Sequence, residues 1–242
     1  MIIRPVKTRV FKEGENLLSF ITRYVRTIPE RSVIVVTSKI VALAEKRTAI
    51  IENRGTKVEL ILKESELAIP TKYAWLTIKD RMVMASAGID ESNANGKLIL
   101  LPNDSFRTAR IVRKKLKEEY RVKNLGVLIT DSRTIPLRAG VTGVALGYAG
   151  FRGIKDNRGT PDIFGRKFHF SRTDVADSLA TAAVLTMGEG REQTPIAIIK
   201  EAPVVFSNMT KRNELSISIE DDMYRPLFEK LPKTQKRKGI NK

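Results

Sequence analysis

Residues 33–47 read VIVVTSKIVALAEKR, four β-branched residues running without a break into a segment of helical spacing. A short, wholly apolar, branched run predicts a strand buried on both faces, and the periodicity that follows predicts a helix, so the pair forms a βα unit. Thr37 and Ser38 stand at the corner and offer hydroxyls and backbone N–H groups. Such a corner serves equally as a phosphate cradle or as a plain helix cap. Outward from this unit, Asn16 to Arg26 carries a helical stripe of Leu17, Phe20, Ile21, Tyr24 and Val25. Gly126 to Thr130 and Ile196 to Ile199 are further short apolar strands, and residues 56–86 read as β structure with polar breaks. Asn103 or Asp104 caps a basic helix whose inward face is Ala109, Val112, Leu116 and Tyr120. Residues 171–187 form another helix, with Val175, Leu179, Ala182, Ala183 and Met187 on its apolar face and Gly188 as its C-cap. Strands alternating with helices make the class α/β, mixed sheets with flanking helices.

Two acids follow apolar runs. Asp90 follows VMASAGI and Asp131 follows GVLIT, which places both where strands end and where open α/β sheets bind ligands. Two carboxylates entering one crevice suit a divalent cation with phosphates, although a single aspartate at such a place is commonly a turn or cap residue. The glycines of AGVTGVALGYAG, at 140, 143, 147 and 150, signal close backbone approach and match neither a Walker A loop nor a dinucleotide fingerprint. His169, in the alternating KFHFS stretch, reads as a structural strand residue.

An apolar content of 42% in 242 residues is enough for a sizeable core, in one domain or two interlocked ones. No secretory signal or run long enough for a membrane span is present, so the expected location is the cytoplasm. With no cysteine and one histidine, a metal here must be a hard ion held by oxygen. The net charge of +17 suits polyanionic small substrates; its concentration in residues 104–120 and 233–242, without interleaved aromatics, argues against nucleic acid as the main partner.

The segments SAGIDESN (86–93), LPNDSFRTARIVRKKL (101–116), GVLITDS (126–132), GVALGYAG (143–150), DIFGR (162–166), VADSLATAAVLTMG (175–188) and PIAIIK (195–200) together resemble, in order and spacing, the coenzyme F420-0:L-glutamate ligase family. The resemblance implies a catalytic region over residues 1–205; residues 206–231 read as a C-terminal extension, and the composition from Pro232 onward reads as a basic disordered tail over 232–242. The resemblance implies the intertwined homodimeric α/β fold of that family, with the site near the subunit interface. It also implies a γ-glutamyl ligase that adds L-glutamate to a deazaflavin precursor, F420-0, using GTP or ATP and two Mg²⁺ or Mn²⁺ ions. By the same resemblance Asp90, Asp131 and Ser132 hold metal. Val6, Lys7, Thr8, Arg9, Thr37, Ser38, Asn93, Gly188 and Glu189 fall at nucleotide positions, Glu189 where the family commonly has Gln. Asp162 and Arg166 belong to a shared loop read as a substrate or interface element.

The ligase chemistry so implied gives the remaining candidates. Glu91 is a third metal ligand or a base for the incoming ammonium, and Arg133 and Arg138 are clamps for phosphate or carboxylate. Where the family has a lysine this chain has Leu43, which leaves Lys39 or Lys46 to meet phosphate. After Asp131 the chain reads DSRTIPLRAGVTG, without the family's usual Trp and Gln. That departure resembles a branch thought to lengthen folate with γ-linked glutamate. The expected acceptor is therefore folate or tetrahydrofolate first and F420-0 second; a non-catalytic, basic RNA-binding relative is the rival from another class.

Overall fold

The computed structural model describes residues 1–53 and 55–229, and the chain divides into two compact units. The expected tail over 232–242 lies outside the described residues. The first unit holds residues 1–51 and 88–215, and the second, over its described residues, 52–53, 55–87 and 216–229. The coarse class expected from the sequence holds: several sheets are flanked by six helices.

The first unit is built on one five-stranded sheet. Its strands are β1 (Ile2–Val6), β2 (Ser32–Thr37), β8 (Leu125–Thr134), β9 (Val141–Ala149) and β12 (Ile196–Lys200), in the order β1-β12-β2-β8-β9. Only β2 and β8 are parallel, from Ser32 opposite Leu125 to Thr37 opposite Thr130. Both are buried along that stretch, which is why the VIVV run shows no alternation. The corner after β2 opens α2 (Ser38–Ala44), a helix of two turns with Thr37 at its N-cap.

Two further helices, α4 (Ser105–Tyr120) and α5 (Val175–Met187), pack on the sheet, and α1 (Leu17–Tyr24) packs on α4 and α2. In α1 Asn16 caps the first turn by accepting from Ser19 N–H, and Phe20 and Ile21 are buried. In α4 Asp104 is the cap, accepting from Arg107 N–H, and Ala109, Val112 and Leu116 face inward as the spacing predicts. In α5 the cap is Asp174, and Leu179, Ala180, Ala183 and Met187 join Val33, Val35 and Leu128 in one core cluster.

Two glycines of β9 explain how this edge strand serves both helices. A Cβ on Gly143 would come within 2.3 Å of the Ala180 carbonyl oxygen of α5, and one on Gly147 within 2.5 Å of Phe106 N at the start of α4. Residues four apart on a regular strand share a face. Here the register slips between Ile129 and Thr130 of β8, whose partners are Gly147 and Ala145, and the extra residue, Leu146, turns the strand over. Close approach was the expected reason for these glycines; Gly140, in the hairpin turn, has open space around it instead.

Beside the main sheet, β3 (Thr48–Ile50) pairs with β7 (Lys97–Ile99), and β10 (Ile154–Asp156) with β11 (Arg172–Asp174). The second unit differs from its sequence reading. Residues expected to be β throughout begin with α3 (Thr56–Glu64), followed by a meander of β4 (Leu67–Pro70), β5 (Trp75–Lys79) and β6 (Met82–Ala85). Thr77 is its buried polar centre: its hydroxyl donates to the Met84 carbonyl and accepts from Ala87 N–H. A 3-10 turn at Ile219–Asp221 and α6 (Arg225–Phe228) complete the described part of this unit. Among the described residues no helix is long and apolar enough to cross a membrane.

Candidate functional site

The parallel pairing of β2 with β8 ends at Thr37 and Thr130, after which β2 turns into α2 and β8 runs on beside β9 alone. This divergence opens a crevice at the carboxyl end of a parallel pair, where open α/β sheets place their ligands. Asp131 is the first residue beyond the pairing. It lies inside β8, not past a strand end as the apolar run suggested, because β9 continues to pair with it as far as Thr134. Asp90 stands beyond the end of β6, past a 3-10 turn at Ser86–Gly88, and is held by a reciprocal pair of backbone hydrogen bonds with Ile99, each 2.9 Å.

Asp90 organises a tight turn. Its Oδ1 accepts from Ser92 N–H at 2.7 Å and its Oδ2 from Ser92 Oγ at 2.8 Å. Lys39, from the first turn of α2, places Nζ 2.7 Å from Asp90 Oδ2 and donates to the Ser92 carbonyl at 2.8 Å. Burial works to raise the Asp90 pKa, but the Lys39 and Ser92 hydrogen bonds outweigh it and hold the carboxyl below its ordinary value.

Asp131 experiences the opposite balance. Burial, joined by the charges of Asp90 and Glu189, pushes its carboxyl up to about 7, against hydrogen bonds from Ser132 N–H and the Ser38 side chain. Ser132 Oγ donates to Glu189 Oε2 at 3.1 Å. Three acids and the hydroxyls of Ser38, Ser92 and Ser132 thus meet at one crevice. Among the described residues no three His, Cys, Asp or Glu side chains stand ready as a metal-binding group. The donor chemistry nevertheless fits a hard divalent ion: every donor is oxygen, and added positive charge would favour the ionised form of a desolvated carboxylate that faces two other acids.

The loop after α5 forms the opposite wall. Gly188 caps the helix with φ of 82°, and Gly190 N–H donates to Glu192 Oε2. Asn93 Nδ2 donates to the Gly190 carbonyl at 3.1 Å, and Thr8 N–H to the Gln193 carbonyl at 2.9 Å. Lys7 donates to the Glu192 carbonyl, which completes a chain of contacts from Val6 at the end of β1, through this loop, to the Asp90 turn. Arg9 is turned outward, paired with Glu15 at 2.9 Å and lying over the Phe20 ring.

Other candidates sit elsewhere or in other company. Arg138 lies at the exposed tip of the β8–β9 hairpin beside Leu137, whose side chain is wholly in solvent. Asp162 accepts from Phe164 N–H and Arg166 N–H, so these residues close an exposed loop on itself. Arg133 pairs with Asp177 of α5 at 3.0 Å. Glu91 is exposed at the crevice edge, and His169 is an exposed bend residue, not part of a strand, because bends and turns break the alternating stretch there. Sequence reasoning missed Ser92, Asp177 and Glu192. The D-x-S spacing of an Asx turn at Asp90 and the D-x-x-D start of α5 were the available signals for the first two.

Residues 5–201 match the model of the family described as F420-0:Gamma-glutamyl ligase. The chain is 31% identical to the coenzyme F420:L-glutamate ligase of Methanococcus maripaludis strain C7, over 88% of this chain and 92% of the relative. It is 31% identical to the enzyme of that name from Methanocaldococcus jannaschii, over 89% and 93%. Against the Methanopyrus kandleri enzyme the identity is 41%, over 59% and 58%.

Proposed function

This chain belongs to the F420-0:gamma-glutamyl ligase family, and from that premise we propose that it is a nucleotide-hydrolysing ligase joining L-glutamate to a carboxylate of F420-0. The observation that carries the reading is the Asp131 carboxyl, desolvated at the mouth of the β2–β8 pair and facing Asp90 and Glu189. Asp90, Asp131 and the Ser132 hydroxyl would hold Mg²⁺ or Mn²⁺, which when bound supplies positive charge against the phosphate oxygens. Ser38, Lys39, Asn93 and the 188–193 loop border the same crevice and are suited to a nucleoside triphosphate.

In this reading the acceptor carboxylate attacks the γ-phosphate, forming an acyl phosphate and releasing nucleoside diphosphate. The amino group of glutamate then adds to the acyl carbon, and inorganic phosphate leaves as the amide forms. Each step gathers negative charge that cationic groups at the crevice lower in energy. Arg133 would reach a phosphate only by leaving Asp177, so it is better suited to fixing β8 against α5 than to clamping substrate.

The expectation of folate first rested on residues 131–143, with Leu137 and Val141 in place of the family's Trp and Gln. From Thr134 to Val141 that segment is exposed at the hairpin end, so these differences fall away from the crevice, and the relatives carry the F420 name. F420-0 therefore becomes the first acceptor. We further propose a homodimer, in keeping with the large apolar residues Leu137, Phe164 and Phe170 left in solvent on the first unit. The test is mass spectrometry of F420-0 and of tetrahydrofolate after incubation with the protein, Mn²⁺, glutamate and either GTP or ATP. A glutamyl gain on F420-0 is expected. A gain on folate alone would overturn the acceptor, and no gain on either, together with salt-sensitive RNA binding, would favour the binding-protein reading.

A further inference from the structure

Lys39 is engaged differently from an ordinary surface lysine. Its ammonium has three N–H donors, and three oxygens of one turn surround it: Asp90 Oδ2 at 2.7 Å, the Ser92 carbonyl at 2.8 Å and Ser92 Oγ at 3.1 Å. The side chain is only 28% exposed. One carboxylate, one carbonyl and one hydroxyl around a single positive centre is the oxygen set that a hard cation takes. The turn is preformed around it, since Ser92 closes back on both Asp90 oxygens.

Asp90 cannot give the same oxygen, along the same direction, to an ammonium and to a divalent ion. We infer that Lys39 is an exchangeable placeholder: its ammonium holds Asp90 Oδ2, and a divalent ion binds by displacing it. The displaced lysine, carried by the residue next to Ser38, then pairs with an anionic group of the substrate. The inference rests on the metal reading proposed above. It adds that ion binding and the release of Lys39 are one event, so an empty site presents no spare cation to phosphate.

The test is Mn²⁺ binding to the full chain without nucleotide, read from the paramagnetic resonance signal of free Mn²⁺. Lys39→Gln removes the competitor and is expected to tighten Mn²⁺ by about two- to fivefold, the range a partly exposed ion pair supplies. Lys39→Arg keeps the charge and is expected to bind no more tightly than the parent chain. Unchanged or weakened Mn²⁺ affinity in Lys39→Gln overturns the placeholder while leaving the metal reading in force. Absence of Mn²⁺ binding in the parent chain and in Lys39→Gln overturns both. A second readout needs no variant: in lysine-labelled protein the Lys39 ammonium resonance shifts as Mg²⁺ is added. A resonance indifferent to saturating Mg²⁺ overturns the inference.

Discussion

At the scale of single residues, what separates Asp90 from Asp131 is company, not chemistry. Asp90 has a lysine and two hydrogen bonds from Ser92; Asp131 has burial and two acidic neighbours. Both are expected to be needed for glutamyl transfer. In the ligase reading, Asp90→Asn and Asp131→Asn should each lower kcat/KM by about 100-fold, because each removes a carboxylate proposed to hold the metal ion. Arg138→Ala, at the hairpin tip, should stay within about twofold of the parent chain, the usual reach of a surface substitution. Steady-state kinetics of the three variants decides the matter, and a large loss in Arg138→Ala would return the hairpin tip to the site. The acids were legible because each follows an apolar run. Their neighbours Ser132, Asn93 and Glu189 were named only through the family resemblance, since the loop after α5 lies far along the chain and meets Ser132 and Asn93 only in the folded structure.

At the scale of elements, α5 is anchored by an acid that resists ionisation. Asp174 caps the helix, accepting from Asp177 N–H, but burial first and the Asp177 charge second push its carboxyl up to about 6. The folded pKa is raised above the unfolded value of 3.8, so the native state holds its proton longer. This contribution to stability is therefore full at low pH and declines as pH rises through this window. Asp174→Asn keeps a capping side chain and removes the charge. Thermal unfolding should show it equal to the parent chain near pH 4 and more stable at pH 8; lower stability at pH 8 would refute the ionisation argument. At Gly143, packed on the Ala180 carbonyl, alanine should cost on the order of 1–3 kcal/mol in the same assay, since backbone rather than a movable side chain meets the new methyl group. Helix α3 shows why one element escaped the sequence. In TKVELILKE, Val58, Leu60 and Leu62 alternate with Lys57 and Glu59 and mimic a strand, whereas the residue that is buried is Ile61. The βα unit at 33–47 was legible because burial on both faces leaves a branched run that no helix of this fold shares.

At the scale of the whole molecule the net charge of +17 meets a crevice lined by acids. These signs serve different ranges. Short-range recognition belongs to the acids, which cannot attract a polyanion and call instead for a cation. The excess of lysine and arginine acts over the Debye length, about 10 Å at 0.1 M salt, and in the ligase reading would draw phosphates and carboxylates to the surface before they find the site. A nucleic-acid binder would place its positive charge in the groove itself, so the rival reading and the ligase reading differ in how salt acts. For the ligase, raising ionic strength from about 0.05 to about 0.5 M should lower kcat/KM for the nucleotide several-fold through encounter and leave kcat nearly unchanged, since screening acts on exposed charges more than on buried ones. For an RNA binder, affinity should fall steeply and linearly in log salt, with no turnover to compare. Measuring kcat and kcat/KM across that salt range, with the free divalent ion held constant, separates the two. A loss confined to kcat would mean that screening reaches the crevice itself, contrary to the burial of Asp131.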